Sequence, residues 1–297
     1  MRFDGYHIRA FGRRILPAPV LRLKRKIMMW LEAKTRKAGK RKTIETHGLF
    51  GPEFLYDSLK TWGIRQGGVL LVHSSWDRFH NFTGTARDVI DVLESLVGTE
   101  GTLLMPAHTN FNDKGPFVFD VSRSPAHTGF LCEMFRREPG VVRSLHPTHS
   151  VCAKGPLADI LTGDHHKEPL SCGPLSPYAK LMAYDGEILG LGLPPVFTTF
   201  LHVVEDMDPS DYPRHTYLEK EYDFAVVDRH GRKMGLKIKR RDPAVMHSMD
   251  LNRIVPHLSE AAHRTFAIAG VPAFWAKSGA LYAEVQCLKR KGIILYA

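Results

Sequence analysis

The chain lacks paired cysteines. Its four, Cys132, Cys152, Cys172 and Cys287, stand far apart with no Cys-x-x-Cys, which argues against a disulfide framework or a cysteine zinc site and fits a reduced, cytoplasmic compartment. It also lacks any apolar run approaching the roughly 20 residues that span a bilayer. The N-terminal run Ile27–Leu31 is too short for a secretory core. There is no Gly-x-Gly-x-x-Gly, Walker loop, His-Glu-x-x-His or Gly-x-Ser-x-Gly. The signatures of dinucleotide-binding, P-loop, zincin and serine-hydrolase sites are therefore missing. Internal repeats are missing too.

What is present is an ordinary globular composition. With 297 residues, 43% hydrophobic and 24% charged, the chain can bury a sizeable core as one large domain or two modest ones. The net charge of +10 is concentrated at one end. Residues 1–47 carry 14 Lys/Arg against Asp4, Glu32 and Glu45, whereas residues 48–297 hold 27 basic and 28 acidic side chains. This divides the chain into a basic arm, 1–47, and a near-neutral domain, 48–297. In the arm, Val20, Leu23, Ile27, Trp30 and Leu31 recur at helical spacing with Arg22, Lys24, Arg25 and Lys26 between them. Such a helix suits peripheral contact with the inner membrane face, or it packs its apolar stripe on the globule or a subunit neighbour. Both readings stay open, as does an oligomer, and nucleic acid is not favoured. Lys34–Lys42 reads as a polar linker.

The periodic pattern begins near Phe50. Pro52 to Gly63 reads as a helix, Val69–Val72 as a buried strand, Thr85 to Val97 as a helix capped by Thr85, and Thr102–Met105 as a second buried strand. Strand, helix, strand predicts an α/β fold: a mixed, partly parallel central sheet covered by helices. Short helices follow over Gly129–Arg137, Ala158–Thr162 and Ser176–Tyr184, with strands at Ser150–Ala153 and Glu187–Gly192. Thr198–Asp206 reads as a helix, Phe224 to Lys239 as a hairpin turning at Gly231, and Leu251–Ile268 as mostly helical. The end reads as short strands at Ala280–Glu284 and Ile293–Tyr296.

Between Arg143 and Glu205 the chain collects hydroxyls, imidazoles and carboxylates on a segment punctuated by Gly and Pro, which is the chemistry of an enzyme site. The histidines His146, His149, His165, His166 and His202 invite a metal reading. Only Glu205 pairs with one of them at helical ligand spacing, so no metal is expected. Taken singly, each residue has a bland alternative. Ser74 and Ser75 can end a strand, Arg143 can be a surface charge, and Glu205 can pair with His202 on its own helix.

Five motifs in order change that balance: His73-Ser74-Ser75 after a strand, Val97-Gly-Thr-Glu-Gly-Thr-Leu-Leu-Met-Pro106, Arg143-Ser-x-His-Pro-Thr-His-Ser150, Gly173-x-x-Ser-Pro177 and Thr199-x-x-His-x-x-Glu205. Together they resemble the aminoglycoside 3-N-acetyltransferase family over about Phe50 to Glu205. Trp76, Asn81-Phe-Thr-Gly84 and Ala107 depart from the family pattern near the expected mouth, which leaves the acyl group and acceptor open. The resemblance implies direct transfer of an acyl group, acetyl first, from coenzyme A to a primary amine of an amino sugar. It places the general base at His166, or at His165 if the loop is one residue out of register. Glu205 would be the orienting carboxylate, with Asp185 a weaker candidate, and Thr148 the oxyanion donor. It assigns His73, Ser74, Ser75, Arg143 and Ser144 to the coenzyme path.

The acceptor of a drug-modifying enzyme is polycationic and wants an acidic cleft, for which Asp206, Asp208 and Asp211 are the nearby cluster. The basic arm argues instead for an amino sugar on a nucleotide or lipid phosphate. An aminoglycoside-modifying enzyme, or a non-catalytic membrane-associated binding protein of the same fold, are the alternatives.

Overall fold

The computed structural model describes residues 39–111, 114–195 and 198–297. Phe50–Ala297 is one compact unit, and the residues before it belong to a separate one. Residues 39–47 are helical, so the part of the expected linker from Gly39 to Lys42 is helix instead. The amphipathic pattern of Val20 to Leu31 lies outside the described residues.

The main unit opens with α1 (Pro52–Thr61), β1 (Val69–Ser74), α2 (Ala86–Val97), β2 (Thr102–Pro106), β3 (Val118–Asp120) and α3 (Phe130–Arg136). It continues with β4 (Val142–Arg143), β5 (Val151–Lys154), α4 (Ala158–Thr162), α5 (Pro177–Lys180), β6 (Glu187–Leu191) and α6 (Thr198–Asp206). A hairpin of β7 (Tyr217–Val227) and β8 (Lys233–Arg241) leads through α7 (Pro243–Met246) to β9 (His263–Ile268), β10 (Val271–Lys277) and α8 (Ser278–Arg290).

Seven strands form one sheet in the order β4-β5-β2-β1-β6-β10-β9. β2, β1 and β6 are parallel, β5 and β10 flank them antiparallel, and the edge strands β4 and β9 are antiparallel in turn to β5 and β10. The fold class is thus the mixed α/β arrangement that the strand–helix–strand pattern predicts. Alternation along β1 sends Leu70 and Val72 to a core shared with α1, α2 and α3, and Val69 and Leu71 to a core shared with α4, α5, α6 and α8. Local signals fix the helix that bridges β1 and β2. Thr85 and Asp88 make a reciprocal capping box, worth about 1 kcal/mol, and Gly98 stops the helix at φ +69°. At Gly190 of β6 an added Cβ would sit 1.9 Å from the Phe274 ring, so only glycine lets β10 pack this closely.

A smaller sheet, β3-β7-β8, encloses its own core of Phe119, Tyr222, Phe224, Val226 and Ile238. Its hairpin turns at Gly231, φ +78°, as the sequence predicts. The C-terminal region departs from expectation. Leu251–Ile268 holds two 3-10 turns and strand β9 instead of a helix, because Pro256 and the loop around Ser259 break the pattern and His263 and Ile268 are buried edge-strand positions. Ala280–Glu284 lies inside helix α8, whose Leu281, Val285 and Leu288 bury one stripe. Ile293–Tyr296 forms no strand: it bends at Leu295 and makes only an isolated bridge from Tyr296 to Met249.

Candidate active site

Because β1, β2 and β6 are parallel, their carboxyl ends share one edge of the sheet, where crevices form in α/β folds. His73 ends β1, His108 follows β2, and α6 follows β6. On α6, His202 and Glu205 stand three apart and share a face. His202 Nδ1 lies 3.0 Å from Glu205 Oε1, and both side chains are buried. An ionised carboxylate only accepts, so Nδ1 carries a hydrogen, and in the neutral imidazole the lone pair is then on Nε2.

Glu205 is held in turn. Tyr296 donates to Oε1 at 2.8 Å and Arg241 to Oε2 at 2.5 Å. The same guanidinium donates to Asp206 Oδ2 at 2.7 Å, which also accepts from Tyr217 and the Cys172 N–H. Burial alone would raise the Glu205 carboxyl. The charges of His202 and Arg241 and the hydrogen bonds from His202 and Tyr296 outweigh it and hold the pKa at about 2. The carboxylate therefore stays ionised at any working pH. Arg241 is buried, so cutting it to Met leaves two carboxylates without their cation. An Arg241→Met variant should lose about 3–5 kcal/mol in urea unfolding; an unchanged midpoint would show that the cluster rearranges around the loss.

Beside this cluster is a cavity of about 440 Å³ lined by His202, His108, Thr148 and His149, and by Lys239 and Arg240 of β8. Among the described residues its lining contains no carboxylate. Thr148 Oγ1 lies 3.0 Å from His149 Nδ1, and His108 Nε2 lies 2.7 Å from the Tyr178 hydroxyl. Among the described residues no three His, Cys, Asp or Glu side chains come together as a metal site.

Thr148 and His202 thus line one cavity, and the imidazole that pairs with Glu205 is His202. His166 and Glu205 do not pair. The 3-10 turn His165–Lys167 sends adjacent side chains apart. His166 lies outside the core, with Nδ1 bonded to the Gly163 carbonyl at 2.9 Å, and lines a second, larger cavity of about 800 Å³. His165 points inward and has no accessible surface. Its Nδ1 meets the Ser144 hydroxyl at 2.9 Å and its Nε2 the Ser171 carbonyl at 3.0 Å, so neither nitrogen is available to a substrate. Asp185, in the left-handed region at φ 52°, pairs with Lys277 and Arg65 and orients no base.

Of the residues assigned to the coenzyme path, Ser144 is buried, accepting from the Val151 N–H while contacting His165. Arg143 donates to the Ser150 hydroxyl and to the carbonyls of Ser124 and Ala107, and lines the larger cavity. His73 is half-buried, its pKa lowered to about 4 by burial, and its Nε2 has no hydrogen-bond partner. Ser74 is buried, and Ser75 donates its N–H to the Leu191 carbonyl at 2.9 Å. The acidic cluster is dispersed. Asp206 serves Arg241, Asp211 pairs with Lys289, and Asp208 accepts from Ser210.

The sequence model of aminoglycoside 3-N-acetyltransferases matches residues 71–288. The chain belongs to that family. Aminoglycoside N(3)-acetyltransferase IV of Salmonella sp is 34% identical over 178 residues, covering 59% of this chain and 66% of the relative. The matched stretch thus spans just under two thirds of that acetyltransferase. Among solved structures, AAC-IIIb bound to CoASH superposes with a TM-score of 0.70 at 24% identity, covering 84% of this chain and 99% of that one. A variant of aminoglycoside acetyltransferase AAC(3)-IVa in complex with gentamicin gives 0.69 at 26% identity, covering 83% and 91%. The family fold therefore accounts for the sheet and the helices that carry the site.

Proposed function

We propose that this acetyltransferase homologue moves an acyl group, acetyl first, from coenzyme A to a primary amine of an amino sugar, with His202 as general base. The observation that carries the reading is His202, locked by Glu205, on the wall of a cavity that Thr148 also lines. Glu205 fixes the ring so that Nε2 faces the chemistry as a base. Nε2 takes the proton of the attacking amine as nitrogen bonds to the thioester carbon. Thr148, on the same cavity wall, donates to the oxyanion that develops. The C–S bond then breaks, and the imidazolium, stabilised by Glu205, returns its proton to the departing thiolate. Coenzyme A titration and free-thiol release from acetyl-CoA with a panel of amines test this. No turnover on any amine and no coenzyme binding would leave the non-catalytic alternative.

Within that activity, we propose an acceptor that bears an anionic group, as in a nucleotide- or lipid-linked amino sugar. The cavity lining supports this: Lys239 and Arg240 join Arg241, and among the described residues no Asp or Glu lines it. A polycationic aminoglycoside would meet cations there. The arm's 14 Lys/Arg suit the anionic surface where a lipid-linked acceptor would sit. Nucleotide-linked amino sugars should turn over at higher kcat/KM than classical aminoglycosides, and removing residues 1–47 should abolish sedimentation with anionic vesicles. Efficient acetylation of the drugs with none of the nucleotide sugars would sink the acceptor claim. Equal sedimentation of both chains would sink the membrane claim.

A further inference from the structure

The larger cavity shares no lining residue with the one at His202. At about 800 Å³ it falls in the size range of cavities that enclose small-molecule ligands. Its wall is built from three separate places: Arg136 and Arg137 at the end of α3, Arg143 of β4, and the β7–β8 turn with Arg229, Arg232 and Lys233. Against these six cations the lining offers two carboxylates, Asp159 and Asp228. Asp159 meets Arg229 and Asp228 meets Arg232. Behind the wall, Glu133 is shared by Arg136 and Arg137. Counting every one of these pairs, the wall keeps a surplus of positive charge.

Arg143 is the most telling of the six. It is held over the Phe119 ring at 4.9 Å, and its hydrogen-bond partners are carbonyls and a hydroxyl. A guanidinium bonded only to neutral acceptors has no carboxylate in direct contact among the described residues, so its charge is only partly compensated. Burial and the neighbouring Arg136 lower its pKa to about 10 although Glu133 pulls the other way. Arg137 and Arg232 are mostly exposed, with side chains 68% and 76% accessible, and are free to reorient onto a ligand.

We propose that this cavity binds a phosphate-bearing ligand, the diphosphate of a nucleotide being the chemistry that matches several guanidinium forks at once. Two sources have that chemistry. One is the nucleotide end of the acyl donor, which rests on the function proposed above; the other is a separate nucleoside phosphate, which does not.

Titration of the whole chain with inorganic pyrophosphate, followed by calorimetry, tests the site itself. An Arg137→Ala/Lys233→Ala double variant removes two accessible cations without opening the core, and circular dichroism checks its fold. Pyrophosphate affinity should fall at least tenfold in this variant and hold within about twofold in Lys239→Ala, which alters the other cavity. Equal affinity in the wild type and the double variant, or a loss confined to Lys239→Ala, overturns the proposal. The source is then read from kinetics. A tenfold rise in KM for acetyl-CoA with kcat kept, and no change with acetyl-pantetheine, which has no nucleotide, identifies the donor. An unchanged KM for acetyl-CoA alongside the lost pyrophosphate affinity identifies a separate ligand. A chain that turns nothing over still gives the pyrophosphate result, so failure of the activity and failure of the site are told apart.

Discussion

Replacing His202 by alanine should lower kcat by about 10²–10⁴ while coenzyme A still binds, because a general base contributes on that scale to the transition state alone. The geometry behind this is specific. Nδ1 is engaged by Glu205 at 3.0 Å, Glu205 is itself locked by Arg241 and Tyr296, and the ring borders the same cavity as Thr148. His166→Ala should keep kcat within about threefold of wild type, since its ring is bonded to the Gly163 carbonyl and borders the other cavity. Glu205→Gln should cost less than loss of the imidazole and should move the acidic limb of the pH–rate profile, because the neutral amide no longer stabilises the imidazolium. A live His202→Ala beside a dead His166→Ala would return the base to the 165–167 turn.

That assignment was half legible in the sequence. The spacing of His202 and Glu205 puts both on one helical face, and the helix over Thr198–Asp206 forms as its pattern predicts. Position relative to Gly173 and Pro177 pointed to His166 instead, because motif spacing carries no information about which way a short 3-10 turn aims its side chains. Arg241 and Tyr296 had no local signal at all. They reach Glu205 from 36 and 91 residues away, through the pairing of β8 in the small sheet and the bridge at Tyr296, which only tertiary structure sets. The central strands were legible because buried parallel strands read as unbroken apolar runs. The C-terminal strands were not. β9 mixes His263, Arg264 and Thr265 with apolar residues, and the helical stripe of α8 is interrupted by Tyr282, Glu284 and Gln286, so neither period stands out.

The second large effect concerns acid. His146 and His165 have no accessible surface and stack at 4.6 Å between ring centroids. His146 Nδ1 accepts from the His149 N–H at 3.1 Å, so protonating it would destroy that bond. His165 donates from Nε2 to the Ser171 carbonyl, which leaves Nδ1 to accept from Ser144. Burial lowers the pKa of His165 to about 3 and that of His146 well below its ordinary value. Both histidines regain an ordinary pKa near 6.5 when the chain unfolds. Below that pH the unfolded chain binds protons that the folded chain refuses, so stability falls as pH drops. The loss is about 1.4 kcal/mol per pH unit for each histidine. From pH 6.5 to 4.5 His165 alone should remove about 2 kcal/mol, and His146 adds to it, against a total of roughly 5–15 kcal/mol for a folded domain. His73, His108 and His149, also lowered by burial, steepen the fall. Glu168 and Asp206, both buried carboxyls raised by that burial, oppose it. Glu205 plays no part in this window, because its stabilising charge is lost only as pH falls from about 4.5 toward its folded pKa of about 2. Urea unfolding at pH 7.5, 6 and 5 should show a steep decline, and a His165→Asn variant should show a shallower one by about 1.4 kcal/mol per unit. A midpoint that holds steady from pH 7.5 to 5 would mean that these rings take up protons in the folded chain, and that the stacked pair opens to water far more readily than its burial implies.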